Sequence, residues 1–374
     1  MSGRTRLAEF IGVAFLAAFA AACGDSAGPI NRSSGSPRFD VTWNSANGTL
    51  GASGNLIIKG FDGGNPRQGD AIVATFVWLG STDIIDSVTD VETTTPFTPI
   101  GNTFHRVEYV TAGGISMATY VATNVKGVTD GYVHAVRADL SQSVTDGGVI
   151  LSSWHGVYPT YGQAQGAHVS ATGSGSTPTA AAPGSIPVSP GAFVYGVTLS
   201  NALVGMDRPS GFVNLGTGSD ASMVVDADYV LSATTSPVAP QWTWFFNSPS
   251  TWLASVIALN EAPTTLAFTV QPSTSPLPCP STIPTVQVTA LDDKGNTVTA
   301  FNGPVTMSIG HQAGMLAPGK LSGTLTVAAV NGVARFSNLC IDQPSAPGDG
   351  YTLRAIAPDV NLNVESARFS IGVL

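Results

Sequence analysis

"PTVQVTALDDKGNTVTAF" (residues 284–301) reads as two β-strands folded about a turn. Val286, Val288 and Ala290 alternate with Gln287 and Thr289, the two-residue period of a strand with one buried face. Lys294-Gly295-Asn296 offers the positive φ that a tight hairpin needs. The pattern continues on both sides. "TLAFTVQPS" (265–273) precedes it, and "GPVTMSI" (303–309), "GTLTVAAVNGVARFSNL" (323–339), "YTLRAIA" (351–357) and "SARFSI" (366–371) follow. Asn331-Gly332 is the strongest hairpin signal among them. About seven strands in roughly 110 residues is the size of a compact two-sheet sandwich.

Upstream the same grammar runs further. Strand-like stretches fall at 39–43, 55–61, 71–79, 105–111, 115–124, 131–138, 148–155, 166–172, 192–200, 222–231 and 251–259. Turn chemistry separates them, as at Asn47-Gly48, Asp62-Gly63-Gly64, Gly113-Gly114, Asp130-Gly131 and Asp146-Gly147-Gly148. About a dozen short strands without helical periodicity predict one large antiparallel sandwich over 38–260. The Ser/Thr/Ala/Pro tract at 170–190 reads as a long exposed connection. Glu261-Ala262-Pro263-Thr264 is a linker, and 265–374 a second domain.

Two resemblances attach to these residues. "LAFTVQPS", "VQVTALDDKGNTVTAFNGPVTMSI", "LSGTLTVAAVNGVARFSNL" and "GYTLRA" resemble the bacterial immunoglobulin-like repeats of invasin- and intimin-type surface proteins. That likeness implies a structural or adhesive module without catalytic residues. "GDAIVATFVWL", "DSVTD", "ATYVATNVKG", "VILSSWHGV" and "WLASVIAL" are similar to secreted bacterial domains of the concanavalin A-like or jelly-roll type, which implies extracellular binding. The expected fold class is all-β: a jelly-roll-like antiparallel sandwich followed by an immunoglobulin-like one.

The N-terminus supplies an address. Arg4 and Arg6 precede an apolar run from Phe10 to Ala22, about 13 residues and too short for a membrane-spanning helix. This is a signal peptide over 1–22. Ala20-Ala21-Ala22 before Cys23 resembles a bacterial lipobox, which implies lipidation of Cys23 and a flexible tether over 23–37. The same alanines also fit ordinary signal-peptidase cleavage and free secretion. Cys279 and Cys340 then remain, an even number in an oxidising compartment. A disulfide between them would stabilise by roughly 4 kcal/mol; two buried free thiols are the alternative. The resulting expectation is a protein secreted across the inner membrane and lipid-anchored in the cell envelope, at the outer membrane or cell surface.

Of 374 residues only 10% are charged, 43% are hydrophobic, and the net charge is −9. No Lys/Arg run exists, which excludes a phosphate-neutralising nucleic-acid interface. No cofactor motif stands out. Gly314 to Lys320 fits the first part of a phosphate-binding loop, but Leu321 follows where Ser or Thr is needed. Gly114-Ile115-Ser116-Met117-Ala118 half matches a nucleophile elbow without an α/β scaffold. The five histidines, His105, His134, His155, His168 and His311, lack metal-ligand spacing. His155 follows Trp154 at the end of an apolar strand, where it could face a sheet rim.

Asp83, Asp86, Asp90 and Glu92 read as adjacent turn acids, with the three aspartates as weak calcium candidates. Trp242 and Trp244 share one face of a strand. Exposed, they and the Trp154–His155 pair would form a platform for stacking a sugar ring; buried, they would fill the core. The expected role is non-catalytic surface binding of polysaccharide or an envelope protein. A carbohydrate-active hydrolase or lyase in the first sandwich and a ligand-free spacer are the rivals.

Overall fold

The computed structural model of the chain describes residues 41–42, 50–61 and 64–372. Its first strands are β1 (Val41–Thr42), β2 (Gly54–Gly60), β3 (Ala71–Leu79), β4 (Ile85–Glu92), β5 (Thr98–Pro99), β6 (His105–Ala112), β7 (Ile115–Ala122), β8 (His134–Val144) and β9 (Gly147–Trp154). A single helical turn, α1 (Tyr161–Ala164), follows. Then come β10 (Gln165–Gly175), β11 (Thr179–Ala181), β12 (Phe193–Ser200), β13 (Met206–Asp207), β14 (Val213–Ser219), β15 (Val224–Leu231), β16 (Trp242–Trp244) and β17 (Ser250–Leu259).

These strands stack as four layers. The two inner sheets have five strands each, in the orders β1-β9-β3-β7-β6 and β10-β17-β12-β15-β14. They pack face to face. Val73 and Val77 of one share a core with Phe193, Tyr195, Val197 and Leu199 of the other, and the Thr75 hydroxyl meets the Tyr195 hydroxyl at 2.8 Å. Sheet β2-β8-β4-β5 covers the outer face of the first inner sheet, over Ile72, Ala74, Phe76 and Trp78. Sheet β11-β16-β13 covers the second. Strands β7, β9 and β12 are therefore buried from end to end, and β3 at all but its last residue. Covering both faces of a strand removes the need for alternation, so "AIVATFVWL" is a continuous apolar run.

The strand orders repeat. Exchanging β1, β2, β3, β4, β6, β7, β8 and β9 for β10, β11, β12, β13, β14, β15, β16 and β17 turns the first pair of sheets into the second, with β5 as the addition. The large antiparallel sandwich thus consists of two sandwiches of one topology, joined through their inner sheets.

Two local expectations need correction. Residues 85–92 are strand β4 rather than a turn, because Asp86 sits at an exposed strand position while Val91 turns inward. Much of the 170–190 tract is also strand. β10 runs to Gly175 along β17, and β11 pairs with β16. Small Ser, Thr and Gly residues satisfy a ladder as well as larger ones wherever a covering layer supplies the packing.

The C-terminal region contains β18 (Thr265–Val270), β19 (Val286–Leu291), β20 (Pro304–Ile309), β21 (Leu321–Ser322), β22 (Thr326–Ala328), β23 (Val333–Phe336), β24 (Cys340–Ile341), β25 (Leu353–Ala357) and β26 (Leu362–Glu365). They form the sheets β18-β19-β23, β22-β20-β25-β26 and β21-β24. In the opening stretch only the first strand is full length; the return is a single bridge from Leu291 to Thr297. Asp292 closes that turn by accepting from the amides of Lys294 and Asn296, each at 2.8 Å, and Gly295 supplies the positive φ, 82°. Asn331 and Gly332 both take positive φ, 51° and 82°, as a two-residue hairpin turn requires. Cys279 and Cys340 form a disulfide with Cα atoms 5.3 Å apart. One continuous core runs from the inner sheets through Tyr158 and Phe301 into this region.

Candidate functional site

All three tryptophans named from the sequence are enclosed. Trp242 and Trp244 are 0% exposed and Trp154 is 2% exposed, so a stacking platform is not built from them. Trp154 lies between the inner sheets, 3.6 Å from the Phe193 ring centroid and 4.9 Å from that of Tyr229. Trp244 stacks on Phe246 at 5.8 Å and donates to the Thr198 hydroxyl at 3.3 Å. Trp242 fits against Gly196 of β12, where a Cβ would come within 2.8 Å of its ring. The i, i+2 spacing correctly places both rings on one face. What covers that face depends on a glycine some 46 residues away in sequence and on the outer sheet.

Trp242 leads to the most unusual chemistry in the stack. Its indole N–H donates to Asp228 at 2.9 Å and to Asp226 at 3.3 Å. Both carboxyls are 0% exposed. Asn214 Nδ2 donates to Asp226 at 3.0 Å and to Asp228 at 3.1 Å. Arg208 Nη2 reaches Asp226 at 3.2 Å, and its Nε stands 3.6 Å from Asp228; the Thr217 hydroxyl also donates to Asp226. Burial, reinforced by the neighbouring Asp226, pushes the Asp228 carboxyl up to about 8. Asp228 therefore keeps its proton at neutral pH. A protonated carboxyl can do acid–base work only where a substrate reaches it. Here Trp242 closes the approach. The signal was present in "VVDADYV" (224–230): an Asp-Ala-Asp alternation inside an apolar strand sets two acids on one face.

A second enclosed pair sits under the other outer sheet. His134 Nε2 and Asp90 Oδ2 are 2.8 Å apart and both side chains are fully buried. Asn102 donates to Asp90 through its backbone and side-chain nitrogens, and these bonds with His134 hold the Asp90 carboxyl below its ordinary range against the opposing effect of burial. Asp90 is thus occupied by protein donors. Asp83 pairs with Arg106, and Asp86 is exposed on β4. The three calcium candidates do not converge. Among the described residues, no group of three His, Cys, Asp or Glu side chains could hold a metal ion.

His155 is 44% exposed and its Nδ1 lies 3.1 Å from the buried Asp70 carboxylate, which also accepts from the Arg67 amide at 2.8 Å. Asp70 thereby orients the imidazole at the end of β9. His168 pairs with Glu108, which also accepts from Ser170, and His311 with Asp349. His105 stacks on Tyr161. Ser116 is buried on β7 and donates to the Gly80 carbonyl. The Gly314–Lys320 segment is a connection from β20 to β21, pinned by Gln312 to Gly319.

Exposed aromatic surface lies elsewhere. Beyond the Glu92–His134 pair, Thr93 and Val133 exchange hydrogen bonds at 3.0 and 3.1 Å. Phe97 lies in the loop between β4 and β5. Phe97 is 49% and Tyr132 42% exposed. A short loop carries the first and a bend the second, and the sequence reading did not single them out.

No protein family, curated protein or solved structure matches the chain.

Proposed function

We propose that the chain is a non-catalytic cell-envelope lipoprotein. It is anchored through Cys23, which lies outside the described residues, and binds polysaccharide or an envelope protein on the surface of its β stack. On this reading the C-terminal region is an immunoglobulin-like module and the stack a jelly-roll-like secreted domain. One contrast carries the proposal: the acid–base groups Asp226, Asp228, Asp90 and His134 are sealed inside the layers, while the aromatic residues Phe97 and Tyr132 are exposed. The disulfide is consistent with an oxidising compartment.

A glycan array probed with the full chain, beside Phe97→Ala/Tyr132→Ala, tests it. Loss of each ring removes about 1 kcal/mol of stacking, so the double variant should bind roughly tenfold to thirtyfold more weakly with an unchanged circular dichroism spectrum. Binding unaffected by the double variant would remove this surface from the proposal. Silence across the array would favour a protein ligand or a spacer.

A further inference from the structure

The joint between the β stack and the C-terminal region is built around one carboxyl. Glu261 forms an isolated antiparallel bridge with Val157. Around it, Ala262 N donates to Gly156 O at 2.8 Å, Tyr158 N to Asn260 O at 3.0 Å, and Thr264 N to Leu291 O at 2.9 Å. The Glu261 side chain packs into a notch left by Gly191, where a Cβ would stand 1.7 Å from Oε2. Gly191 has φ +80°, so no other residue fits there without strain. The charged groups facing Glu261 are Asp292, Asp293 and Lys294, all on the turn after β19. From the stack, Gly156, Val157 and Gly191 lie next to this segment. Further along the joint, Tyr158 and Asp359 each approach Gly303, where a Cβ would lie 3.0 and 3.2 Å from their oxygens.

We propose that Glu261 makes this joint acid-stabilised: the protonated carboxyl sits in the Gly191 notch and holds the C-terminal region closed, and its ionisation beside Asp292 and Asp293 opens the joint. The electrostatics agree in sign. Burial raises the Glu261 carboxyl to about 7, with Asp292 and Asp293 adding to the rise and Lys294 opposing it. In an opened joint the carboxyl returns to its ordinary value near 4.5. The closed form therefore binds the proton more tightly, and opening grows as pH rises from about 4.5 to about 7, then levels off.

Hydrogen exchange of the full chain, corrected for the intrinsic pH dependence of amide exchange, reads this directly. Protection at Tyr158, Ala262 and Thr264 should fall about tenfold per pH unit between pH 5 and 7 and then plateau. Glu261→Gln should abolish the dependence. Asp293→Asn, which removes one opposing charge without touching the notch, should move the plateau to lower pH. All measurements are repeated in an Asp228→Asn background, which removes the buried carboxyl raised to about 8. A wild-type profile flat in pH, an unchanged slope in Glu261→Gln, or an unmoved plateau in Asp293→Asn would each overturn the proposal.

Discussion

Replacing Asp228 by Asn should flatten the pH dependence of stability of the β stack. Asp228 is fully buried, with its carboxyl raised from 3.8 to about 8. Between those values the unfolded chain gives up this proton and the folded chain keeps it. Stability due to this group is complete below about pH 4 and is lost as pH rises toward 8, at about 1.4 kcal/mol per pH unit. Over the whole window that is on the order of 6 kcal/mol. Asn at 228 is neutral at every pH. It keeps an oxygen that can accept from Trp242. Urea unfolding followed by tryptophan fluorescence at pH 5, 6, 7 and 8 is the assay. Wild type should show a midpoint that falls steadily with pH, and Asp228→Asn a much shallower change. Equal slopes in the two proteins, or a wild-type midpoint that rises with pH, would refute the reasoning, since a rising midpoint means that Asp228 is ionised in the fold.

Two further outcomes follow from packing and covalent structure. Gly196→Val should destabilise the second sandwich by about 2–3 kcal/mol, because its side chain enters the Trp242 ring; a thermal melt within 1 °C of wild type would contradict the packing described. Cys279→Ser/Cys340→Ser opens a loop of 61 residues and should cost about 4 kcal/mol, read as a lowered melting transition of the C-terminal region. An unshifted transition would mean that the disulfide contributes nothing to that fold.

The architecture was legible where one chain segment carries its own pattern. Uninterrupted runs such as "AIVATFVWL" and "FVYGVTLS" announce strands, and the glycine at 332 announces a hairpin. An even pair of cysteines left the disulfide as the natural reading. What lay beyond reach depended on partners distant in sequence. The doubling of strand order is invisible because the two outer layers pack different residues. Phe76 and Trp78 fill the first outer core from the inner sheet, whereas in the second Gly196 yields space to Trp242 from the cover. Burial of the tryptophans could not be told from exposure for the same reason. Asp226 and Asp228 were passed over because an acid in an apolar strand acquires meaning only once Asn214, Arg208 and Trp242 are seen to meet it. Asp86 of β4 was misplaced for the opposite reason: it is exposed, and a polar strand face looks like a turn.

The central claim is binding without turnover. The most direct test incubates the full chain with the polysaccharide it retains on an array and follows the polymer for new reducing ends and unsaturated termini. The account expects a saturable complex and a polymer recovered intact. New chain ends that scale with protein concentration would contradict it and place a working catalytic site in the first sandwich.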